Sequence, residues 1–275
     1  MNNDSAHAWQ PGLPGNVGMT WRVTAFDIET AQMAPDGDNL PLEAYKLGIT
    51  CAAVHTTSKG ELRHKQTFHP LELGGDYAEK MAQPQLEELA AYLCQTEHLV
   101  VSLYGLGFDL RVLAAELQGT EWEYKLRELA LNHIDLPFQM LCQYGFTFGM
   151  KRFAEGYGVH GKVEGMDGVK AVARWAEGRD AQNQVLEYVQ QDAKATSDIY
   201  HAAIKEGAFL WLSNGQRRYK FARTVGPPHF PRLLRVSECL DLQLPNTSWM
   251  TRPPWPRSKF ASWAAQGTIY EKSLL

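Results

Sequence analysis

The order of strand-like and helix-like segments along the chain is the feature that most constrains its fold. Segments rich in β-formers lie at 21–28, 45–55, 61–68 and 98–103, and segments with helical periodicity lie at 85–95 and 109–117. The first three strands follow one another directly, which favours antiparallel pairing between them. A helix, a strand and a second helix come next, and this succession predicts a mixed α/β sheet with helices on its faces.

The second half of the chain predicts fewer strands. A long helix without Gly or Pro is expected from 181 to 206, after a glycine-rich loop at 156–168. Asn214-Gly215 is typical of a hairpin turn, here between strands at 209–212 and 218–221. No internal repeat interrupts this order.

Composition divides the chain into three parts. Residues 1–18 are rich in Gly, Pro and Asn and predict a flexible tail. Residues 19–210 form the predicted α/β domain, and residues 211–275 predict an irregular extension packed on it. The formal net charge is −4, yet 211–275 contain ten Lys and Arg against three Asp and Glu. A basic flank beside an acidic body is compatible with nucleic-acid binding, although a solvated basic face explains the asymmetry equally well.

The cysteine pattern indicates whether the protein works in a reducing or an oxidising compartment. Cys51, Cys94, Cys142 and Cys239 form no C-x-x-C pair and lie in apolar surroundings, which predicts buried reduced thiols rather than a zinc site. The N-terminus lacks a basic flank followed by an apolar segment, and no apolar run approaches the roughly 18 residues that span a membrane. We therefore expect a cytoplasmic protein without a membrane partner.

Asp27 and Glu29 form the first of three acidic motifs. Side chains alternate along a strand, so both carboxylates face the same side of the first predicted strand. Like charges side by side repel each other, and a divalent cation such as Mg²⁺ removes that penalty. Two acids on the protein surface remain the alternative for this motif alone.

The other two motifs lie further along the chain. Asp109 follows an apolar strand and a turn with two glycines, and it opens a helix; it is a metal ligand or a helix cap. Tyr188 and Asp192 are four residues apart in the long helix, which places them on one helical face, one turn apart. A pair on the helix surface is the alternative there.

Taken together, the three motifs resemble those of the DEDD superfamily of 3′–5′ exonucleases, in its DEDDy subclass. The pattern is similar to that of the proofreading domains of family B DNA polymerases and of stand-alone predicted exonucleases of that type. The resemblance implies an RNase H-like mixed five-stranded sheet flanked by helices. It also implies two divalent ions, Mg²⁺ or Mn²⁺, held by Asp27, Glu29, Asp109 and Asp192, with Tyr188 orienting the attacking water.

Substrate contacts are predicted less directly. The family usually has an asparagine five positions before the second-motif aspartate, where this chain has Tyr104; this tyrosine stacks on a base or packs at the strand end. The other candidate contacts to nucleic acid are Thr30, Phe108, Lys162, Arg217 and Arg218. His133 and Asp135 either approach the metal site or merely finish a strand.

The expected reaction is hydrolysis of phosphodiester bonds from the 3′ end of single-stranded DNA or RNA, with DNA favoured. Two rivals remain. One is a catalytically weak RNase H-like module that only binds nucleic acid, and the other is a structure-selective endonuclease of the same fold. A separate polymerase or repair protein is a possible partner, since the chain has no polymerase motif.

Overall fold

The computed structural model describes residues 22–37, 40–95, 97–161, 165–212, 218–222 and 233–274. Its strands are β1 Arg22–Thr30, β2 Ile49–Ser58, β3 Glu61–Phe68, β4 Glu72–Leu73, β5 Asp76–Tyr77, β6 His98–Ser102, β7 Ile134–Asp135, β8 Ala208–Leu212 and β9 Arg218–Ala222. Five of them form one sheet in the order β3-β2-β1-β6-β7. β1 pairs antiparallel with β2 and parallel with β6, which confirms the predicted mixed five-stranded α/β sheet.

The helices flank this sheet. They are α1 Gln83–Leu93, α2 Asp109–Glu116, α3 Glu121–Asn132, α4 Leu136–Tyr144, α5 Met150–Tyr157, α6 Gly168–Trp175, α7 Arg179–Glu206, α8 Val236–Leu240 and α9 Ser258–Ala265, with 3-10 helices at Leu42–Tyr45 and Ile269–Leu274. Among the described residues, none of the helices has the length and apolar character needed to cross a bilayer.

The two faces of the sheet have different partners. Phe26 and Ile28 of β1 point to one face, where they pack in a large apolar cluster with α1, α2 and α3. Cys51 and Ala53 of β2 point to the other face and pack against α7. The alternation of β1 therefore places Asp27 and Glu29, which lie opposite Ala53 and Cys51, on the face that α7 covers.

The boundaries of several elements differ from the predicted ones. The predicted strand at 45–55 begins later, because a 3-10 helix at Leu42–Tyr45 precedes it. Two helices, α3 and α6, were not predicted; the Thr120 hydroxyl caps the first and the Asp167 carboxylate caps the second. Cys94 is only half-buried, whereas the other three thiols are buried as predicted.

The C-terminal extension is more helical than expected. The described residues 233–274 include α8, α9 and a 3-10 helix, and their apolar side chains, including Val236, Leu240, Phe260 and Trp263, join the cluster on the α1–α3 face. The strands β8 and β9 pair antiparallel as predicted, while the turn between them and the predicted tail at 1–18 lie outside the described residues. The domain boundaries stay predictions.

Candidate active site

The first acidic pair lies on the central strand β1. Asp27 is half-buried and Glu29 is buried, so neither is the free surface acid of the alternative interpretation. The thiol of Cys51, directly opposite Glu29 in the register, has a pKa well above its usual value, chiefly because it is buried and also because both carboxylates are near. The pair thus faces the interior between β1 and α7.

Asp109 reaches the same place from a different element. It is the first residue of α2, whose N-cap is Phe108, so its carboxylate does not serve as the cap. Instead, Asp109 Oδ1 accepts a hydrogen bond of 3.2 Å from the backbone N–H of Ile28, which lies between the two acids of β1. This bond ties the second motif to the first across 81 residues of sequence.

Burial makes the carboxyl group of Asp109 a weaker acid than usual. Its pKa is raised to about 7, first by burial and then by the charges of Asp135 and Asp192, while hydrogen bonds from its own amide and that of Ile28 oppose the rise. Without a counter-charge, this carboxyl group holds its proton up to near neutral pH. A cation beside it would favour the ionised form.

Tyr188 and Asp192 complete the arrangement from α7. Both are buried, at 1% and 2% exposure, which excludes the alternative of a surface pair. The pKa of Tyr188 is raised, first by burial and then by the charges of Asp192, Glu29 and Asp27, and its hydroxyl donates a hydrogen bond to Asp192. The electrostatic neighbours of this one hydroxyl therefore come from both the first and the third motif.

The loop that leads into Asp109 is clamped on both sides. The N–H of Leu106 donates to Asp135 Oδ2 at 3.0 Å, and its carbonyl accepts from Trp263 Nε1 at 2.8 Å. Gly107 lies so close to Phe260 that a Cβ there would come within 2.7 Å of the ring. The C-terminal helix α9 therefore helps to hold the second motif, a role that the sequence analysis did not assign to it.

His133 and Asp135 form a buried hydrogen-bond network next to the acidic cluster, and the charge of Asp135 acts on Asp109. The Ser102 hydroxyl lies 3.0 Å from His133 Nε2 and 3.1 Å from Asp135 Oδ2, and His133 Nδ1 lies 2.8 Å from the carbonyl of Ala130. Asp135 Oδ1 also caps α4 by accepting from the N–H of Phe138 at 2.9 Å. The sequence signal for this second role was an aspartate just before Leu136-Pro137 at a helix start.

Tyr104 occupies the position where the resemblance suggests asparagine. Its backbone has φ of 75°, in the left-handed region that asparagine tolerates better than a bulky residue. Its hydroxyl donates to Thr147 Oγ1 at 3.2 Å, and its ring centroid lies 6.4 Å from that of Phe260. The half-buried side chain packs at the end of β6, and burial raises the pKa of its hydroxyl.

The remaining predicted substrate contacts lie in varied places. Thr30 is buried and donates its hydroxyl to the carbonyl of Gln32 at 2.8 Å, while Phe108 is half-buried beside Asp109. Lys162 and Arg217 lie outside the described residues, as does the side chain of Arg218. The predicted hairpin contacts thus stay predictions.

A comparison with family models decides the classification. A model of the RNase H superfamily matches residues 24–204, which include most of β1, Asp109 and most of α7. The chain belongs to the RNase H superfamily. A search of curated proteins finds no match to it. The mixed sheet order agrees with this membership.

RNase H-like nucleases generally use divalent metal ions. In the part of the chain that the structure describes, no three His, Cys, Asp or Glu side chains are arranged to ligate one ion. Two carboxylates are turned toward protein donors instead, Asp109 to the N–H of Ile28 and Asp192 to Tyr188. The donors themselves fit Mg²⁺ or Mn²⁺, because oxygen ligands suit these ions and the mutual repulsion of the acids favours a cation.

Proposed function

We propose that the chain is a metal-dependent 3′–5′ exonuclease of the DEDDy type, acting on single-stranded nucleic acid and preferring DNA. The observation that carries the proposal is that acids of β1 and α7 surround one buried tyrosine hydroxyl. Asp109, at the start of α2, bonds the backbone between the two β1 acids and is close enough to Asp192 for that charge to raise its pKa. Membership in the RNase H superfamily supports a nuclease activity. The exonuclease subclass rests on the pattern of the three motifs.

Each acid has a place in this proposal. Asp27, Glu29, Asp109 and Asp192 would hold two divalent ions, Mg²⁺ or Mn²⁺. When bound, the ions supply charge stabilisation for the attacking and leaving oxygens and lower the pKa of bound water. The protein contributes the positions of the carboxylates, and the buried setting strengthens every electrostatic interaction among them.

Tyr188 orients the attacking water in this mechanism. Because its pKa is raised above the usual value by burial and three carboxylates, its hydroxyl stays protonated at neutral pH and is a poor general base. It can still donate or accept a hydrogen bond that fixes the water relative to the phosphorus. Tyr188→Phe should therefore cost less activity than the loss of an acid.

The preferred substrate is a single strand with a free 3′ end, because a flexible strand reaches a half-buried acidic site more easily than a duplex. The products would be 5′-mononucleotides. A polymerase or repair protein as a separate partner, and a cytoplasmic location, belong to the same proposal; the four free thiols support a reducing compartment.

The test is digestion of a 5′-labelled single strand with Mg²⁺ or Mn²⁺, beside an EDTA reaction. Asp192→Asn is compared with Asp180→Asn, the same change at an exposed position of the same helix α7. We expect a metal-dependent ladder that shortens from the 3′ end. Asp192→Asn should abolish it, while Asp180→Asn should keep it.

Other outcomes would reassign the chain. Cleavage of a circular single strand would favour the endonuclease, since a circle has no 3′ end. Strand binding without cleavage by either metal would favour the non-catalytic binding module, which the tyrosine at position 104 and the protein-directed carboxylates motivate. Full activity in Asp192→Asn would refute the assignment of the acidic cluster.

A further inference from the structure

Two tryptophans between α8 and α9 are exposed, Trp249 at 64% and Trp255 at 52%. A tryptophan ring has a large apolar area, and in a folded chain most of that area is usually covered. Exposed rings that adjoin other aromatic side chains therefore indicate a surface that binds a ligand or a partner. Both tryptophans lie beyond residues 24–204, the part that matches the RNase H superfamily, so the family assigns them no role.

Trp255 is connected to the loop before Asp109 through one ring of α9. The centroid of its ring lies 5.9 Å from that of Phe260, and the centroid of Phe260 lies 6.4 Å from that of Tyr104. Phe260 also lies against Gly107, which is two residues before Asp109. The exposed Trp255 ring is thus two ring contacts away from the loop that leads into the second acidic motif.

Trp249 is connected to the same loop through the segment 145–149, between α4 and α5. The ring centroid of Phe146 lies 5.8 Å from that of Trp249 and 5.6 Å from that of Phe148. Between these two phenylalanines, Thr147 accepts the hydrogen bond of the Tyr104 hydroxyl at 3.2 Å. Both sets of rings therefore meet at Tyr104. We call their exposed and half-buried members the aromatic surface, which consists of Tyr104, Phe146, Phe148, Trp249 and Trp255.

The two segments that supply most of the aromatic surface are basic. Residues 144–152 and 244–260 together contain five Lys and Arg and no Asp or Glu, in a chain whose net charge is −4. Arg257 is buried and donates to backbone carbonyls, so its role is structural. Lys151 and Arg252 are exposed, and among the described residues neither takes part in an ion pair. Their charges are therefore available to an anionic ligand.

Cations also lie over two of the rings. The guanidinium carbon of Arg152 is 5.0 Å from the ring centroid of Phe148, and Lys259 Nζ is 5.0 Å from that of Trp255. The surface thus combines flat apolar rings with positive charge. A single strand of nucleic acid matches both properties, because its bases stack on aromatic rings and its phosphates attract cations. An acidic protein segment would match the charge alone.

We propose that the aromatic surface binds single-stranded nucleic acid by stacking on its bases, while Lys151 and Arg252 contact its phosphates. The proposal rests on the proposed exonuclease function for the identity of the ligand, and it adds a binding surface built largely by the C-terminal extension. Every base has a flat face, so such stacking would not depend on sequence. In an acidic chain, cations beside the rings also raise the local concentration of a polyanion.

The test measures binding in EDTA, where the proposed metal-dependent hydrolysis cannot occur. A 5′-fluorescent oligothymidylate of about 20 nucleotides, long enough to cover one single-strand site, is titrated with the whole chain, and Kd is obtained by fluorescence anisotropy. The surface variant Trp255→Ala, Arg252→Gln is compared with the control variant Tyr124→Ala, Lys125→Gln. The control also removes an exposed ring and an exposed charge, but from α3, where Glu121 pairs with Lys125.

We expect the surface variant to raise Kd about tenfold, because a stacked base and a phosphate contact are lost, and to reduce the slope of log Kd against log salt by about 0.7. The control variant should bind like wild type. Trp255→Phe, which keeps a ring, should raise Kd by no more than about threefold. Equal Kd values for wild type and surface variant, with both proteins folded by circular dichroism, would overturn the proposal.

A strand without bases tests the stacking in the wild-type chain itself. An abasic oligonucleotide of the same length and label keeps the phosphates and sugars but offers no rings to stack. Wild type should bind it about tenfold more weakly than the oligothymidylate. Equal affinity for the two strands would show that the rings are not used. Polyglutamate that competes as well as the oligothymidylate would assign the surface to acidic protein segments, which also overturns the proposal.

The outcome is separable from the proposed function. If wild type binds the strand through the aromatic surface but hydrolyses nothing with Mg²⁺ or Mn²⁺, the exonuclease proposal fails and the binding surface stands. If wild type hydrolyses the strand and the surface variant binds it like wild type, the binding surface fails and the exonuclease proposal stands.

Discussion

The acids of the candidate site are held in two different ways. Asp27 and Glu29 belong to β1, a central strand that pairs with β2 on one side and β6 on the other. Asp109 follows a loop whose backbone is held by side chains from distant segments, Asp135 before α4 and Trp263 in α9. The first two positions depend on sheet register and the third on tertiary contacts.

Because the acids are held differently, Asp109 should be easier to displace than Asp27 and Glu29. A strand in the middle of a sheet can hardly move without breaking hydrogen bonds on both sides, so the Asp27–Glu29 pair is a fixed reference. The loop before Asp109 is held by hydrogen bonds of the Gly107 and Phe108 N–H groups to the carbonyl of Tyr104 and by single side-chain contacts from distant segments. Changes to those contacts should shift Asp109 relative to β1 and alter activity more than they alter the fold.

The largest expected effect comes from removing an acid of either kind. Asp27→Asn and Asp109→Asn should each lower kcat of the proposed exonuclease by about a thousandfold or more, because charge stabilisation worth several kcal/mol is lost. Steady-state digestion of a labelled strand measures it. Retention of more than a tenth of the activity by Asp109→Asn would show that the loop-held acid is not part of the catalytic set.

Stability should separate the two kinds of acid. The carboxyl group of Asp109 has a pKa of about 7 in the folded chain against 3.8 as its ordinary value. The folded state therefore keeps a proton that the unfolded state has released, and this group's contribution to stability is lost as pH rises from about 4 to about 7.

In EDTA, Asp109→Asn should accordingly gain free energy of unfolding over wild type as pH rises through that window, by on the order of a few kcal/mol. The half-buried Asp27, changed to Asn, is the comparison at the strand-held position. Thermal melts at pH 5 and pH 8 measure both, and added Mg²⁺ should reduce the Asp109→Asn advantage. A pH-independent difference would contradict the buried, raised-pKa description of Asp109.

The next-largest effect is expected from removing a side-chain contact that holds the loop before Asp109. Trp263→Phe keeps the ring's place but removes the hydrogen bond to the carbonyl of Leu106, which should cost about 1–3 kcal/mol of stability. Misplacement of Asp109 should lower kcat roughly tenfold while KM changes little.

The matched control is Trp249→Phe, since Trp249 is 64% exposed and its Nε1 donates only to the nearby carbonyl of Asn246. Its stability should stay within about 0.5 kcal/mol of wild type. If Trp263→Phe loses stability but keeps wild-type kcat at a temperature where it is folded, the loop does not rely on α9 for its active position.

The positions of the acids on β1 and α7 could be predicted from sequence, whereas the contacts that hold the loop before Asp109 could not. The alternation of β1 and the four-residue spacing in α7 are local patterns, so the facing of Asp27 with Glu29 and of Tyr188 with Asp192 follows from strand and helix geometry alone. The sheet order was predictable in kind, because three consecutive strands favour antiparallel pairs. These are short-range consequences of chain geometry.

The clamp could not be predicted in this way. Nothing in the sequence around Trp263 shows that its indole N–H reaches a carbonyl 157 residues earlier, and the helices α8 and α9 lie in a Pro-rich segment that favours irregular structure. Asp135 carries a local helix-cap signal, but its second oxygen bonds a loop 29 residues away. Such contacts depend on how separate elements pack.

The smallest effect on stability is expected at Tyr104, which has a left-handed backbone conformation and lies next to Phe260 of α9. Tyr104→Asn should relieve the cost of a bulky residue at φ of 75°, about 1 kcal/mol, and should lose a hydrogen bond to Thr147 of similar size together with ring packing on Phe260. Tyr104→Phe, which removes only the hydroxyl, separates these contributions in denaturant unfolding.

The activity of Tyr104→Asn then decides what the tyrosine does. If the asparagine's donor and acceptor position the substrate, kcat/KM for a single strand should rise a few-fold although stability changes by no more than about 2 kcal/mol. A fall in kcat/KM that Tyr104→Phe does not share would instead mean that the ring itself binds the strand, by stacking on the terminal base. In that case the loop before Asp109 contributes to substrate binding as well as positioning a carboxylate.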